Sequence, residues 1–409
     1  MCGLTGFLSH SGFDPSAAQF RAEAMADAIR HRGPDDGGAW VDGDAGIALG
    51  HRRLSILDLS PAGHQPMLSA SGRWVLAYNG EVYNHLALRH RLEGEGAAPA
   101  WRGHSDTETL LACIEAWGIE RTLQASVGMF AIALWDRSER ELVLARDRIG
   151  EKPLYYGWQG DTFLFGSELK ALRAHPAFNA AIDRGAVALL LRHNYVPAPY
   201  SIYQGIHKLP PGTFLRLGGG QRAVEPVSYW SLADVAERGM AQPFAGSDAE
   251  ALDALERHLG DAVRGQMVAD VPLGALLSGG IDSTVITALM QANSSRAVRT
   301  FTIGFDEKQY DEATHARAVA THLGTDHTEL RLSGADALAL VPQMPVMYDE
   351  PFADSSQLPT HLVMKLARQH VTVVLSGDAG DELFGGYNRY FLGPKTWDGI
   401  RRLPLAFRR

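Results

Sequence analysis

Residues 271–284 read VPLGALLSGGIDST and join an apolar run to a glycine-rich turn and the start of a helical pattern. The apolar residues 271–277 predict a buried strand. A glycine-rich turn between a strand and a helix offers backbone N–H groups and a helix N-terminus to a polyphosphate. The turn lacks the lysine of a GxxxxGK[ST] loop, so it is not a Walker A loop. The stretch therefore predicts a strand–turn–helix unit that binds phosphates through its backbone.

The sequence on both sides of this unit alternates between helical and strand patterns. Strands are predicted at 300–305, 327–332 and 371–375, and helices at 250–267, 284–291, 313–323 and 358–369. Apolar strands that alternate with helices of crossover length predict a doubly wound parallel α/β sheet. Ligands of such a sheet bind beyond the C-terminal ends of the strands.

A second glycine-rich and acidic loop follows the last of these strands. Residues 375–387 read LSGDAGDELFGGY. The clustered carboxylates would repel one another and a nucleotide unless a cation or a proton-transfer task holds them. A Mg²⁺ site formed by Asp381 together with Asp282 is therefore physically sensible.

The N-terminal half has a different texture. Strands are predicted at 4–8, 47–55, 74–78, 130–135, 142–147 and 162–165, and helices at 17–29, 86–92, 106–117 and 168–174. Clustered strands separated from helices predict an α+β domain of packed sheets with helices outside. Residues 218–248 are rich in glycine and proline and show little periodicity, which predicts a linker between a domain at 2–217 and one at 249–409.

Cys2 is a candidate nucleophile, because removal of Met1 would leave a thiol and a free α-amine on one residue. Such an amine, with an ordinary pKa of about 7.7–8.0, can act as a general base near neutral pH. The other cysteine, Cys113, lies in a helical pattern and is predicted to be a core residue.

Four further motifs follow Cys2 in order: HRGPD at 31–35, RLSI at 53–56, NGEVYN at 79–84 and SD at 105–106. Together they resemble the class II glutamine amidotransferases, which are N-terminal-nucleophile hydrolases with an αββα sandwich, and in particular the glutaminase half of the asparagine synthetase family. The resemblance implies that Cys2 forms a glutamyl thioester and that the oxyanion is stabilised by Asn79 and Gly80. The implied glutamine-binding residues are Arg53, Leu54, Ser55, Ile56, Asn79, Gly80, Glu81 and Asp106.

The charges in that set suit glutamine. Arg53 offers a guanidinium to the α-carboxylate, and Glu81 and Asp106 offer carboxylates to the α-ammonium. His31 and Arg32 are expected only to order the loop over the pocket.

The second half resembles the ATP pyrophosphatases and carries both signature loops of the asparagine synthetase domain. The resemblance implies an ATP site formed by Leu277, Ser278, Gly279, Gly280, Asp282, Ser283, Ile303, Ser376 and Gly377, with Mg²⁺ held by Asp282 and Asp381. Asp378 is the implied catalytic residue at the acceptor, where many family members carry Glu. Ala379 replaces a frequent Gly, which is tolerable if its φ is negative. Residues 349–356 form another family-like loop, expected near the acceptor.

The implied reaction transfers ammonia from glutamine to an aspartate that ATP has activated, which gives asparagine, AMP, pyrophosphate and glutamate. Two alternatives stay open. One is amidation of another carboxylate, such as a sugar acid or a peptide side chain. The other is a glutaminase or glutamine sensor with an inactive synthetase half. The family's second domain normally extends beyond residue 409, so the chain is expected to be a truncated member.

Composition restricts the partners. The net charge is −9 over 409 residues, so no overall basic field favours nucleic acid or an anionic membrane. Two cysteines exclude a disulfide framework, and no apolar run is long enough to cross a membrane. These features predict a cytoplasmic enzyme of small-molecule substrates, and a homodimer is kept as a hypothesis for its assembly.

Overall fold

Two six-stranded antiparallel sheets organise the first part of the chain, with strand orders β10-β8-β9-β1-β3-β2 and β12-β11-β7-β6-β5-β4. The structure, a computed structural model, describes residues 1–218, 220–223, 225–305 and 312–408. The strands are β1 Gly3–Leu8, β2 Asp36–Asp42, β3 Ile47–Arg53, β4 Met67–Leu68, β5 Trp74–Val82, β6 Gly128–Asp136, β7 Glu141–Arg146, β8 Tyr155–Gln159, β9 Thr162–Gly166, β10 His207–Lys208, β11 Thr213–Leu217 and β12 Val227–Ser228.

Alternating side chains of β6 show how the layers form. Ala133 and Trp135 belong to the core between the two sheets, whereas Ile132 and Leu134 belong to the core that the second sheet shares with helices. Successive side chains of a strand point to opposite faces, so each sheet is buried on both sides. A third core places helices against the first sheet. The αββα sandwich is thereby confirmed.

The helices of this part are α1 Pro15–Asp27, α2 His85–Gly94, α3 Asp106–Trp117, α4 Ile119–Ala125, α5 Leu169–Arg173, α6 Arg184–His193 and α7 Leu232–Ala241. Several begin at side-chain caps. Asp14 caps α1, in which Pro15 takes the first position, and Ser105 caps α3 by accepting from the Glu108 N–H. The cap at Ser105 fixes Asp106 as the first residue of α3. Cys113, a residue of α3, is buried in the core, as predicted.

A four-stranded parallel sheet, ordered β15-β14-β13-β16, forms the second part. Its strands are β13 Leu273–Leu276, β14 Arg299–Phe305, β15 Asp326–Leu332 and β16 Val373–Leu375. The remaining helices are α8 Asp248–Gln266, α9 Ile281–Ala292, α10 Ala313–Leu323, α11 Gly334–Leu340, α12 Met344–Met347, α13 Gln357–Ala367, α14 Gly380–Phe384 and α15 Asn388–Ile400.

Helices cover both faces of this sheet. Ala275 packs with Val263 of α8 and Met290 of α9, and the next residue, Leu276, packs with Val363 of α13. Adjacent strand residues point to opposite faces, so α13 lies on the other side from α8 and α9. The predicted doubly wound sheet is confirmed.

The chain forms two compact units, one of Met1–Leu252 with Pro342–Asp354 and one of Asp253–Val341 with Ser355–Arg409. The segment predicted as a linker, 218–248, contains β12 and α7. Gly219, one of the glycines behind that prediction, lies outside the described residues. α7 buries none of its residues.

Candidate active sites

Cys2 lies immediately before β1 and is held from two sides. Its Sγ lies 3.4 Å from the Leu54 N–H nitrogen and 3.5 Å from the Leu54 carbonyl oxygen, at the end of β3. Arg32 Nε donates to the Cys2 carbonyl oxygen at 2.8 Å. Asp35, from the same HRGPD motif, accepts from the Ser55 N–H at 2.9 Å. The motif thus orders the main chain on both sides of the thiol.

A cavity of about 40 Å³ opens beside the thiol. It is lined by Met1, Cys2, Arg53, Leu54, Ile56, Leu57, Gln65, Tyr78, Asn79, Gly80, Glu81, Asp106, Thr107, Met129 and Lys152. Every residue predicted to bind glutamine is in this set except Ser55, whose N–H is bound to Asp35. Met1 lines the cavity as well, so its removal would enlarge the cavity and free the Cys2 amine.

The Asn79 side-chain amide is the feature of this cavity that points most directly to a ligand. Asn79 is fully buried, and neither Nδ2 nor Oδ1 has a hydrogen-bond partner. A buried amide without partners costs about 1–3 kcal/mol, which a ligand can recover. A Cβ on the neighbouring Gly80 would lie 2.3 Å from the Met129 carbonyl oxygen. The cavity wall therefore presents an unused hydrogen-bond donor on a tightly packed strand.

Both residues were predicted at the end of a strand, but β5 continues to Val82. Asn79 and Gly80 pair with Ala131 and Phe130 of β6. The strand is longer than its apolar pattern because the pairing with β6 continues through polar residues.

Two carboxylates share the cavity. Asp106 Oδ2 accepts from the Tyr78 hydroxyl at 2.8 Å and from the Val82 N–H at 2.9 Å. Burial, and after it the nearby Asp106 carboxylate, raises the pKa of Glu81 to about 7. Burial also raises the pKa of Asp106, although its hydrogen bonds from Val82 and Tyr78 act the other way. A cationic group of a ligand would stabilise the ionised forms of both carboxylates and so lower their pKa values.

The Arg53 guanidinium lines the same cavity and is partly engaged. Nη1 donates to the Ser60 carbonyl oxygen at 3.1 Å, and Nη2 donates to those of Leu57 at 3.3 Å and Asp58. Three of the five guanidinium N–H groups are thus used to fix its position. The guanidinium nevertheless lines the cavity, where its positive charge suits a ligand carboxylate.

Burial shifts the pKa of two groups beside this cavity. It raises the pKa of the Cys2 thiol, which favours the neutral thiol. It lowers the pKa of the Met1 α-amine to about 6. That amine is lost when Met1 is removed, and the amine then available as a general base is that of Cys2 itself.

Sequence reasoning missed Leu57, Gln65, Tyr78, Thr107, Met129 and Lys152. Lys152 is brought in by a turn: Asp147 accepts from the N–H groups of Gly150, Glu151 and Lys152 at 2.6–2.9 Å. A turn of that shape has no signature in composition or periodicity. Tyr78, in contrast, adjoins Asn79, and its place in β5 could have been inferred from the motif.

The second unit has a larger cavity, of about 900 Å³, at the C-terminal ends of β13, β14 and β16. It contains the predicted ATP, metal and acceptor residues Leu277, Ser278, Gly280, Asp282, Ser283, Ile303, Ser376, Gly377, Asp378 and Asp381. Gly279 does not line it. That residue has a φ of 81°, and a Cβ there would lie 2.8 Å from the Ala316 nitrogen at α10. Gly279 thus serves the close packing of the turn.

The two signature loops pack directly against each other. A Cβ on Gly377 would lie 2.6 Å from the Ser283 nitrogen, and one on Gly380 would lie 2.4 Å from Asp282 Cγ. Ser278 Oγ and Ser283 Oγ are 3.0 Å apart, which closes the first loop. Gly280, at the start of α9, makes no side-chain cap. The uncapped N-terminus of α9 therefore faces a cavity suited to an anion.

The acidic residues of this cavity fit a magnesium ion that a nucleotide brings. Asp282 and Asp381 both line the cavity, and Gly380 leaves room for the Asp282 carboxylate. Across the described ranges no group of three His, Cys, Asp or Glu side chains is gathered for a metal. Two carboxylates plus phosphate oxygens are the ligands that Mg²⁺ ordinarily takes.

One expectation about these loops needs correction. Ala379 has a φ of 71°, so the negative φ on which its tolerance was argued is wrong. In the 349–356 loop, Asp349 and Glu350 belong to the first unit, where they bind Lys170 and Lys208, and its place near the acceptor stays a prediction. Asp378 itself accepts from the Ser376 hydroxyl at 2.9 Å within the ATP cavity.

Comparisons with known proteins assign a family to each half. Residues 1–230 match the glutamine amidotransferase domain family, and residues 254–409 match the asparagine synthase family. A putative glutamine-hydrolysing asparagine synthetase of Methanocaldococcus jannaschii is 36% identical over all of this chain and 79% of its own length. One of Mycobacterium tuberculosis is 39% identical over 95% of this chain.

The chain spans 61% of the length of the mycobacterial relative. Among solved structures, the Bacillus subtilis glutamine phosphoribosylpyrophosphate amidotransferase covers 80% of this chain and is covered over 65% of its own, with 16% identity and a TM-score of 0.41. No helix in the described part of the chain is long and apolar enough to cross a membrane.

Proposed function

This chain belongs to the family of glutamine-hydrolysing asparagine synthetases, and on that premise we propose that it takes ammonia from glutamine at Cys2 and transfers it to an acid activated by ATP. The observation that carries the proposal is the unpartnered, buried Asn79 amide beside the Cys2 thiol. A buried amide whose N–H has no partner can donate a hydrogen bond to the negative charge that develops on an oxygen during a reaction.

In the glutaminase step, Cys2 Sγ attacks the side-chain amide carbon of glutamine. The amine of Cys2, freed by removal of Met1, takes the thiol proton and passes it to the departing ammonia. Asn79 Nδ2 and the Gly80 N–H stabilise the oxyanion, and water then cleaves the glutamyl thioester to glutamate. Glu81 and Asp106 hold the substrate ammonium, and Arg53 holds its α-carboxylate.

In the synthetase step, the polyphosphate of ATP lies against the 278–283 turn and the N-terminus of α9. Asp282 and Asp381 would hold Mg²⁺, which when bound offsets the phosphate charge. The acceptor carboxylate attacks the α-phosphorus and pyrophosphate leaves. Ammonia then attacks the acyl carbon, and AMP leaves. Ser376 orients Asp378 towards the acceptor.

Aspartate is the proposed acceptor, so the product is asparagine. An assay of pyrophosphate release with aspartate, sugar acids and acidic peptides tests the choice. Release with another acid but not with aspartate would replace it. A cytoplasmic homodimer stays a prediction from the sequence, and light scattering of the purified protein checks the dimer.

Cys2→Ala tests the glutaminase assignment. Glutamate release should fall to background because the thiol that forms the glutamyl thioester is lost, while ATP binding persists. The buried Cys113→Ala serves as the control and should keep glutaminase activity. Glutamate release by Cys2→Ala would overturn the assignment.

Asp282→Asn and Asp381→Asn test the synthetase assignment. Acid-dependent exchange between ATP and pyrophosphate should fall by orders of magnitude, because a lost Mg²⁺ ligand removes several kcal/mol of charge stabilisation. Glutaminase turnover should persist. Normal exchange in both variants would show that these carboxylates do not serve the nucleotide.

A further inference from the structure

Charged side chains of alternating sign form a continuous chain that begins at the nucleophile. Arg32, whose Nε binds the Cys2 carbonyl oxygen, also donates from Nη1 to Glu168 Oε1 at 2.7 Å. Glu168 in turn pairs with Lys170. Lys170 Nζ lies 3.1 Å from Asp349 Oδ1, and its backbone N–H donates to Asp349 Oδ2 at 3.0 Å.

This chain of ion pairs is well shielded from water. The exposed fractions of the side chains are 9% for Arg32, 14% for Glu168, 19% for Lys170 and 9% for Asp349. Burial alone would raise the pKa of Glu168, but hydrogen bonds from His31 and Lys170 and the charge of Arg32 hold that pKa well below its usual range. Shielded ion pairs add little net stability, but they penalise any rearrangement that leaves one charge unpaired.

The last member of the chain comes from a distant part of the sequence. Asp349 lies in residues 342–354, within the stretch that matches the asparagine synthase family, yet this segment packs in the first unit. A second ion pair, between Glu350 and Lys208, also anchors the segment, and Glu350 Oε1 accepts from the Ile202 N–H at 2.7 Å. Neither of these groups touches Arg32 or Glu168 in the contacts that the structure describes.

We propose that Asp349 is a positioning residue for glutamine cleavage, and that it acts through Lys170, Glu168 and Arg32 on the main chain of Cys2. Without the Asp349 charge, Lys170 Nζ keeps the Met347 carbonyl oxygen at 3.4 Å and, of its two described carboxylate partners, only Glu168. Lys170 then competes with Arg32 for Glu168. Arg32 then loses its fixed orientation, and the Cys2 carbonyl loses its donor. A misplacement of the nucleophile by about 1 Å is enough to slow a reaction about 100-fold.

Residues 342–354 belong by sequence to the synthetase half. Their packing in the first unit thereby controls the rate of glutamine cleavage in the glutaminase half. This inference rests on the proposed glutaminase function of Cys2.

Asp349→Asn in the full chain tests the proposal, because Asn keeps the shape and can still accept from the Lys170 N–H. We expect kcat for glutamine hydrolysis to fall about tenfold, because the chain of ion pairs, called the relay below, ends at the nucleophile. KM should stay within twofold, because the relay does not include the Arg53, Glu81 and Asp106 side chains that bind glutamine. Lys170→Met should give a similar fall. The double variant should be no slower than either single variant, because both break the same relay.

Glu350→Gln is the matched control. It lies in the same segment, has the same 9% exposure and loses the same kind of ion pair. Thermal stability should fall similarly in the two variants, whereas kcat should stay within twofold of wild type in Glu350→Gln. Asp349→Glu, which keeps the charge, should recover part of kcat. Lys170→Met replaces Asp349→Asn in the comparison if the latter does not fold.

Equal loss of kcat in Asp349→Asn and Glu350→Gln would overturn the proposal, since the segment would then act only as an anchor. An unchanged kcat in Asp349→Asn would overturn it as well. In both cases wild-type glutaminase activity stands and the proposed function survives. A wild-type chain that is freed of Met1 and releases no glutamate would instead overturn the proposed function, and the relay with it.

Discussion

Glu81 should give the glutaminase reaction a characteristic pH dependence. Its pKa is raised to about 7, so below that pH the carboxyl is protonated and cannot pair with a substrate ammonium. We therefore expect kcat/KM for glutamine to rise with pH through about 7 and then level off, since this parameter reports the free enzyme. Initial rates of glutamate release between pH 5.5 and 9 check it.

Glu81→Gln tests whether the Glu81 carboxyl causes this pH dependence. The variant should raise KM and lose the step near pH 7. Glu120→Gln, on the exposed side of α4, should leave the profile unchanged. A step near pH 7 that survives in Glu81→Gln would refute the assignment.

Ala379 carries a backbone cost that glycine would remove. Its φ of 71° lies in the left-handed region, where a Cβ costs roughly 1–2 kcal/mol. Ala379→Gly should therefore stabilise the second unit by about 1 kcal/mol, after the entropy that glycine loses on folding is subtracted. Denaturant unfolding followed by a probe in that unit measures the change.

The same substitution at an exposed helical site gives the opposite sign. Ala318→Gly, in α10, should destabilise the unit by about 1 kcal/mol, because glycine is unfavourable in a helix interior. Equal destabilisation at the two positions would contradict the account of Ala379.

Site residues could be predicted from the sequence where they are neighbours within one motif. Asn79, Gly80 and Glu81 adjoin in sequence and face one cavity. Lys152 reaches that cavity only through the turn that Asp147 organises, so spacing gave no signal for it. The φ of Ala379 depends on how its loop packs against Asp282, and the sequence offered no means to derive its sign.

Among the elements, the packing of the two signature loops makes Gly377 indispensable. A methyl group there would meet the main chain of Asp282 and Ser283, which cannot move without opening the start of α9. Gly377→Ala should weaken ATP binding at least tenfold, which titration calorimetry measures. Glutaminase activity should be unaffected.

A matched glycine is available in α15. A Cβ on Gly393 would meet nothing within 4 Å, so Gly393→Ala should leave ATP affinity unchanged and slightly stabilise the helix. Unchanged ATP affinity in Gly377→Ala would show that the loops do not need their close approach.

Local patterns predicted some elements closely and missed others, among them β2, β8, α6 and α15. The helices Asp106–Trp117 and Ala313–Leu323 begin and end where their periodicity predicts. β5 was predicted too short because its polar end is held by pairing with β6, which is a contact between distant residues. The packing of 342–354 in the first unit could not be predicted for a similar reason, since its partners Lys170 and Lys208 are more than a hundred residues away.

For the whole molecule, two units with separate cores should respond to different ligands. Calorimetry of Cys2→Ala, which binds glutamine without turnover, should show two unfolding transitions. A ligand at 100 times its Kd stabilises what it binds by about 2.7 kcal/mol. Glutamine should raise one transition temperature, and ATP with Mg²⁺ the other. A single transition that both ligands shift alike would contradict this.

The packing of residues 342–354 in the first unit limits where the gene for this chain can be joined to the gene of a relative. The polypeptide leaves the first unit after Leu252, returns at Pro342 and departs again after Asp354. A hybrid gene joined at residue 252 would combine Lys170 and Lys208 from one parent with the acids at 349 and 350 from the other. Any charge mismatch between the parents would then break the ion pairs that anchor residues 349 and 350 in the first unit. A hybrid keeps these pairs only where the lysines of one parent meet acids in the other, although each unit has its own core.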